Sequence, residues 1–117
     1  MPRFAANLSM MFNEHPFLDR FEAAAKAGFT AVEFLFPYDF PADEVGARLK
    51  KFGLTQALFN LPPGDWTKGE RGISALAGRD AEFIESLAIA RPYVDAIPKN
   101  ELRLKLACAW PLQLADE

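Results

Sequence analysis

The sequence predicts a parallel α/β fold in which short strands alternate with helices. Two observations carry this. Short apolar runs and amphipathic segments follow one another as strand, helix, strand, helix, strand, loop, helix. A short phrase also recurs, Ala27-Gly28-Phe29-Thr30-Ala31-Val32 and then Phe52-Gly53-Leu54-Thr55-Gln56-Ala57. Each copy closes a helix on glycine and opens a strand. That alternation implies parallel strands joined by right-handed crossovers.

Phe4 to Leu8 reads as a short buried strand, and Asn13-Glu14-His15-Pro16 as a turn with Pro16 suited to begin a helix. Phe17, Leu18, Phe21, Ala24 and Ala25 fall at helical spacing, and Gly28 is a natural stop. Ala31 to Phe36 is the second strand, broken by Pro37-Tyr38-Asp39-Phe40-Pro41. Pro41 opens a helix with Asp43 and Glu44 in its first turn, where negative charge is favoured. Val45, Leu49 and Phe52 form its buried stripe and Gly53 ends it. Leu54 to Phe59 is the third strand, followed by a loop from Asn60 to Gly72. A third helix is expected from about Arg79 to Ala96, with Phe83, Leu87, Ala90 and Val94 on one face. Pro92 should kink it or change its register.

The chain has 117 residues, enough for one domain with a core. Half are hydrophobic, a quarter are charged, and the net charge is -3. With both signs interspersed, this excludes a nucleic-acid stripe and a polybasic membrane patch. Arg48, Lys50 and Lys51 cluster at a helix end, where they complement the dipole better than they make an anion site. The single cysteine, Cys108, points to a reducing, cytoplasmic setting, and it has no nearby histidine to activate it as a nucleophile. No signal peptide or membrane span is expected. Eleven phenylalanines suit packed helix–sheet layers.

Two architectures fit: an open doubly wound sheet, or a (β/α)8 barrel. A nucleotide-binding open sheet carries a Gly-rich turn after its first strand, and Asn7-Leu8-Ser9-Met10-Met11-Phe12 contains no glycine. In both architectures ligands bind at the C-terminal ends of the strands. That rule selects Asn7 and Ser9 after strand one, Glu33 and Tyr38 at strand two, and Asn60 with its loop after strand three.

Glu33 is the sharpest signal, a carboxylate inside an apolar strand. Burying it is costly unless it is paired or used. It either points into a barrel mouth or forms a salt bridge to Arg3 or Lys26. The Asn60–Gly72 loop is long for a βα connection and holds Asp65, Trp66, Glu70 and Arg71. Arg71 could fork onto a carboxylate or phosphate. Trp66 could cap a small ligand or pack the loop down. The competing reading is a self-packed Ω-loop. His15 is read as a solvated turn histidine before an acid/base. Met10 and Met11 are expected in the core or on a pocket wall. No HxxxH, HExxH or paired-cysteine spacing marks a metal site.

Three stretches carry a family resemblance: Phe4-Ala-Ala-Asn-Leu-Ser-Met-Met-Phe, Ala31-Val-Glu-Phe-Leu-Phe-Pro-Tyr, and Gln56-Ala-Leu-Phe-Asn-Leu-Pro-Pro-Gly-Asp-Trp with Gly69-Glu-Arg-Gly. Over about residues 2 to 96 the chain resembles the N-terminal portion of bacterial hydroxypyruvate isomerases, with the related 2-oxo-tetronate isomerases close by. The resemblance implies an incomplete (β/α)8 TIM barrel of the xylose isomerase-like kind, about its first three to four βα units. It implies aldose–ketose-type isomerisation of hydroxypyruvate to tartronate semialdehyde by proton transfer. The family's two catalytic glutamates and its ligands for a divalent metal such as Mg lie on later strands, with no matching position here. The chain itself is therefore expected to hold no catalytic residue and no cofactor. Asn7, Glu33, Asn60, Trp66, Glu70 and Arg71 carry over as candidate substrate-binding residues for a small 2-oxo or hydroxy acid.

Residues 1–96 are expected as the barrel units and residues 97–117 as a divergent tail. Ala107-Cys-Ala-Trp-Pro can be written in codons that, read two bases later, give Leu-Arg-Met-Ala and a G-initial codon. This resembles the family's fourth strand, so a frameshift is expected. A full barrel needs about 250 residues. An unclosed sheet leaves an unpaired edge, so the chain should be poorly soluble or form a homo-oligomer through that edge. The leading expectation is a truncated isomerase, inactive alone. The alternatives are a self-associating βα module that binds a small acid, and a flavodoxin-like binding domain.

Overall fold

The computed structural model describes residues 3–70, 72–73 and 77–97. Strands β1 (Ala5–Asn7), β2 (Ala31–Glu33) and β3 (Thr55–Leu58) form a parallel sheet in the order β1-β2-β3. Helix α1 (Arg20–Lys26) lies between β1 and β2, and α2 (Ala42–Phe52) between β2 and β3. Helix α3 (Asp80–Ala96) follows the long loop. Single 3-10 turns cover Phe17–Asp19 and Trp66–Lys68.

Both crossover helices pack on one face of the sheet. Ala6, Leu8, Val32, Phe34 and Leu54 from the strand segments share a single core with Phe21 and Ala24 of α1 and Val45 and Leu49 of α2. The ring of Phe17 stacks on Phe40 at 5.0 Å and meets Phe21 and Phe34 edge-on at 5.6 and 5.4 Å. Strand order equal to chain order, with both crossover helices on one side, is barrel construction. A doubly wound sheet reverses its order and carries helices on both faces.

Alternation places Ala5, Asn7, Ala31, Glu33 and Thr55 on the opposite face, which becomes the interior when such a sheet closes. The register pairs Ala5 with Ala31 and Thr55, then Asn7 with Glu33 and Leu58, with an irregularity in β3 between these rows.

The element ends follow local chemistry. Gly53 closes α2 in the left-handed conformation, at φ 63°, which costs glycine little. Helix α3 runs through Pro92. The ring removes the N–H that would reach Ala88, but both residues are exposed, so water can serve that carbonyl. Gly46 of α2 lets α3 approach closely. A Cβ there would lie 2.8 Å from the Ala96 carbonyl oxygen.

Met10 and Met11 are not in the core. They are 68% and 39% exposed. Strand β1 ends at Asn7, whose carbonyl accepts from the backbone N–H of both methionines, and that turn swings their side chains outward. Of the tail expected at residues 97–117, all but Ile97, and so Cys108, lies outside the described residues.

Candidate functional site

Asn7 and Glu33 sit side by side at the C-terminal ends of β1 and β2. The Asn7 Nδ2 donates to Glu33 Oε1 at 3.0 Å. The same asparagine accepts the Ser9 backbone N–H on Oδ1 at 3.0 Å, and Ser9 Oγ accepts the Leu35 N–H at 2.9 Å. These bonds continue the stitching of β1 to β2 where the backbone ladder stops. The salt bridge considered for Glu33 is not the arrangement found. Lys26 pairs with Glu22 one helical turn back, at 2.7 Å, and holds that carboxyl below its ordinary range. Arg3 likewise forms no ion pair with Glu33 among the described residues.

The third strand adds Asn60. Its N–H donates to the Leu35 carbonyl at 2.8 Å, and its own carbonyl accepts the Tyr38 hydroxyl at 2.5 Å. Burial pushes the Tyr38 hydroxyl pKa up, so this phenol stays a donor. Its ring meets Tyr93 of α3 edge-on at 5.2 Å, and the Tyr93 hydroxyl donates to the Phe40 carbonyl. The loop leaving β2 is thereby tied both to the start of the long loop and to α3.

The long loop is folded on itself. Asp65 caps the Trp66–Lys68 turn, accepting the Thr67 N–H at 2.9 Å and its hydroxyl at 2.6 Å. These bonds hold the Asp65 carboxyl below its usual pKa. Glu70 accepts the Asp65 N–H on Oε2 at 2.6 Å, and its Oε1 pairs with Arg79 at 2.8 Å. Arg79 also pairs with Glu82 in the first turn of α3. The Arg79 guanidinium holds Glu70 below the ordinary carboxylate range. A backbone bond from the Gly72 N–H to the Pro63 carbonyl, 2.9 Å, closes the loop's base. Gly64, at φ 87°, has no room for a Cβ because the Glu70 carboxylate and Ile73 occupy that space.

Trp66 is half exposed and meets Phe36 edge-on at 6.0 Å. Phe36, Phe59, Asn60 and the Leu61–Pro63 stretch line a cleft of about 340 Å³ with Gly72 and Ile73. Of the six candidate residues, the structure therefore joins Asn7 to Glu33 directly and gathers Asn60, Trp66 and Glu70 around the loop. Arg71 lies outside the described residues. His15 sits in its exposed turn beside Glu14, and its carbonyl accepts from Arg20 Nε at 2.9 Å. Neither the capping role of Asp65 nor the pairing of Arg79 with Glu70 is among the sequence expectations. The spacings Asp65-x-Thr67 and Arg79-x-x-Glu82 were the available signals.

No group of three or more His, Cys, Asp or Glu residues among the described residues could hold a metal ion. None of the described helices is long and apolar enough to cross a membrane.

In class, this is a run of consecutive units of a parallel βα barrel. It matches a crystal structure titled AP endonuclease, family 2, from Brucella melitensis with a TM-score of 0.80 and 62% identity. The match covers 83% of this chain and 38% of that one. No family model matches the chain. The 2-oxo-tetronate isomerase of Cupriavidus necator is 60% identical over 104 residues, 89% of this chain and 40% of that protein. The 2-oxo-tetronate isomerase of Haemophilus influenzae is 61% identical over 97 residues, 83% of this chain and 38% of that protein. The hydroxypyruvate isomerase of Escherichia coli is 48% identical over 102 residues, 87% and 40% respectively. The chain is homologous to the N-terminal portion of the hydroxypyruvate and 2-oxo-tetronate isomerases. It spans about 40% of the length of these curated relatives.

Proposed function

We propose that the chain forms the near wall of an isomerase pocket for a small 2-oxo or hydroxy acid. The whole family reaction interconverts hydroxypyruvate and tartronate semialdehyde, or acts on a 2-oxo-tetronate, by moving a proton between neighbouring carbons. The observation that carries this reading is the Asn7–Glu33 hydrogen bond on the helix-free face of the sheet, at the strand ends where barrels bind ligands.

Each candidate takes a role from its chemistry. A carboxyl oxygen accepts hydrogen bonds, so Glu33 receives a substrate hydroxyl. Asn7 holds one Glu33 oxygen and leaves the other for the ligand. Trp66 gives an apolar wall and Asn60 a polar edge. Arg71 takes the substrate carboxylate in fork geometry. Glu70 serves the same site indirectly, fixing the loop that carries Trp66 and Arg71.

The described residues supply no proton-transfer pair on the two sides of such a substrate, so the chain alone binds without turnover. Its single cysteine is in keeping with a reducing, cytoplasmic setting.

Hydroxypyruvate and related acids titrated into the chain should perturb the amide signals of residues around Glu33 and Trp66. Arg71→Ala and Glu33→Gln should each weaken binding about ten-fold, the effect of roughly 1.4 kcal/mol. Isomerase assays of the chain alone with added Mg should give no turnover. Binding that is unchanged in both variants, or turnover by the chain alone, would overturn the reading.

A further inference from the structure

One guanidinium closes the segment that leaves β1. Arg20 is the first residue of α1, where the helix dipole disfavours a cation. Its Nη1 donates to the Leu8 carbonyl at 2.7 Å and its Nε to the His15 carbonyl at 2.9 Å. Residues 8–15 are thus held at both ends by one planar group. No ion pair to Arg20 forms among the described residues, and the adjacent Asp19 pairs with Arg48 at 3.8 Å. Inside the segment Phe12 sits at φ 61°, a left-handed conformation that is costly for a residue with a Cβ. Such a backbone persists only where its surroundings over-determine it.

The bond to Leu8 reaches the candidate site through one rigid unit. The Leu8 carbonyl and the Ser9 N–H belong to the same planar peptide and point opposite ways. Arg20 holds the carbonyl. The N–H donates to Asn7 Oδ1 at 3.0 Å. With Oδ1 accepting there, the amide presents Nδ2 to Glu33, also at 3.0 Å. A flipped amide would set Nδ2 against the Ser9 N–H and Oδ1 against a carboxyl oxygen.

We infer that Arg20 is a positioning residue for the Asn7–Glu33 pair. It acts through the Leu8–Ser9 peptide plane and fixes which end of the Asn7 amide meets Glu33. Each donor in the series also polarises the next, so a cation on the Leu8 oxygen strengthens the Asn7 donor. The effect on ligand affinity rests on the pocket proposed above, whereas the effect on the Asn7 amide does not.

The test uses the full 117-residue chain. Arg20→Ala and Arg20→Lys are compared with the unaltered chain by NMR, and circular dichroism checks the fold. The lysine keeps the charge without the planar fork. In both variants the Ser9 N–H should exchange with solvent about ten-fold faster, the scale of a lost hydrogen bond to a charged group. The two Asn7 Nδ2 proton signals should move toward those of a solvated asparagine. The Thr55 N–H, bonded to the Thr30 carbonyl at 2.9 Å, is the reference and should not change. A role confined to global stability would open both amides together. Where Arg20→Ala does not fold, Arg20→Lys is read alone.

Hydroxypyruvate is titrated into the same proteins, and binding should weaken about ten-fold in the variants. Unchanged Ser9 and Asn7 signals, equal acceleration at Thr55, or failure of both variants to fold would each overturn the inference. So would variants that bind hydroxypyruvate as tightly as the unaltered chain does. An unaltered chain that binds no hydroxypyruvate, with the Ser9 and Asn7 signals moved as described, overturns the ligand reading and upholds the positioning role.

Discussion

Asn7 donates its side-chain N–H to Glu33 across the β1–β2 boundary at 3.0 Å, and the two residues are register partners in the parallel ladder. A carboxylate at the end of a short apolar strand is thus held by a neutral amide. No ion pair to Glu33 forms among the described residues.

Removing that amide should be felt in stability. Hydrogen bonds to charged groups contribute about 1.5–3 kcal/mol when partly buried. Asn7→Ala should lower the unfolding free energy by about that amount in urea denaturation. Asn7→Asp should cost more, because it sets two carboxylates against each other. A loss below about 0.5 kcal/mol for both variants would show that the bond is incidental.

Gly46→Ala sets two effects against each other. Alanine in a helix interior is favoured over glycine by about 1 kcal/mol. The added Cβ would stand 2.8 Å from the Ala96 carbonyl oxygen and 3.0 Å from its Cβ, both in α3. Overpacking of that kind costs about 1–3 kcal/mol, and backbone on the far side cannot yield cheaply. A net loss of about 1 kcal/mol is expected, read as a lower melting temperature. A more stable variant would mean that α3 slides aside freely.

Phe34 is the centre of the aromatic core, with ring centroids 5.4 Å from Phe17 and 5.8 Å from Phe21. Phe34→Ala should cost about 3–5 kcal/mol, enough to unfold a marginal domain. Circular dichroism should then lose most of its helical signal. Retention of a cooperative melt near the original temperature would contradict the packing described.

The loop should loosen in acid. Arg79 and the Asp65 N–H depress the Glu70 pKa, so the folded carboxylate is stabilised relative to the unfolded one. That contribution is complete above the ordinary glutamate value, about 4.3. It disappears as pH falls through the depressed folded value. The Asp65 amide signal, followed by NMR, should shift in that window and lose its dependence in Glu70→Gln. An Asp65 amide titrating identically in both proteins would place the latch elsewhere.

The tail makes a genetic prediction. DNA downstream of codon 96 should encode, in another frame, a strand of the Leu-Arg-Met-Ala-Gly type and further barrel units. If no frame continues the barrel, the tail is native to the protein and the frameshift is wrong.

What the sequence by itself determined is local order. Apolar spacing, Pro41, and the glycines at 28 and 53 set the alternation of strands and helices. The rule that ligands bind at strand ends selects Asn7, Glu33 and Asn60 from the sequence. These signals survive because they depend on neighbours within a turn or two. Strand lengths were read too long: β2 ends at Glu33, short of Phe36, because Ser9 Oγ takes the Leu35 N–H in place of a strand carbonyl.

The tertiary structure alone decided who faces whom. Glu33 has a partner 26 residues away because the register of two strands puts Asn7 there. Glu70 is expected as a substrate-binding residue, and it is bound to Arg79 because α3 returns beside the loop. Met10 reads as core or pocket wall, and it is exposed because β1 stops three residues before it. Periodicity fixes which side of an element is apolar. Only the assembled layers fix what stands opposite, since a polar group's partner depends on distances that close through space.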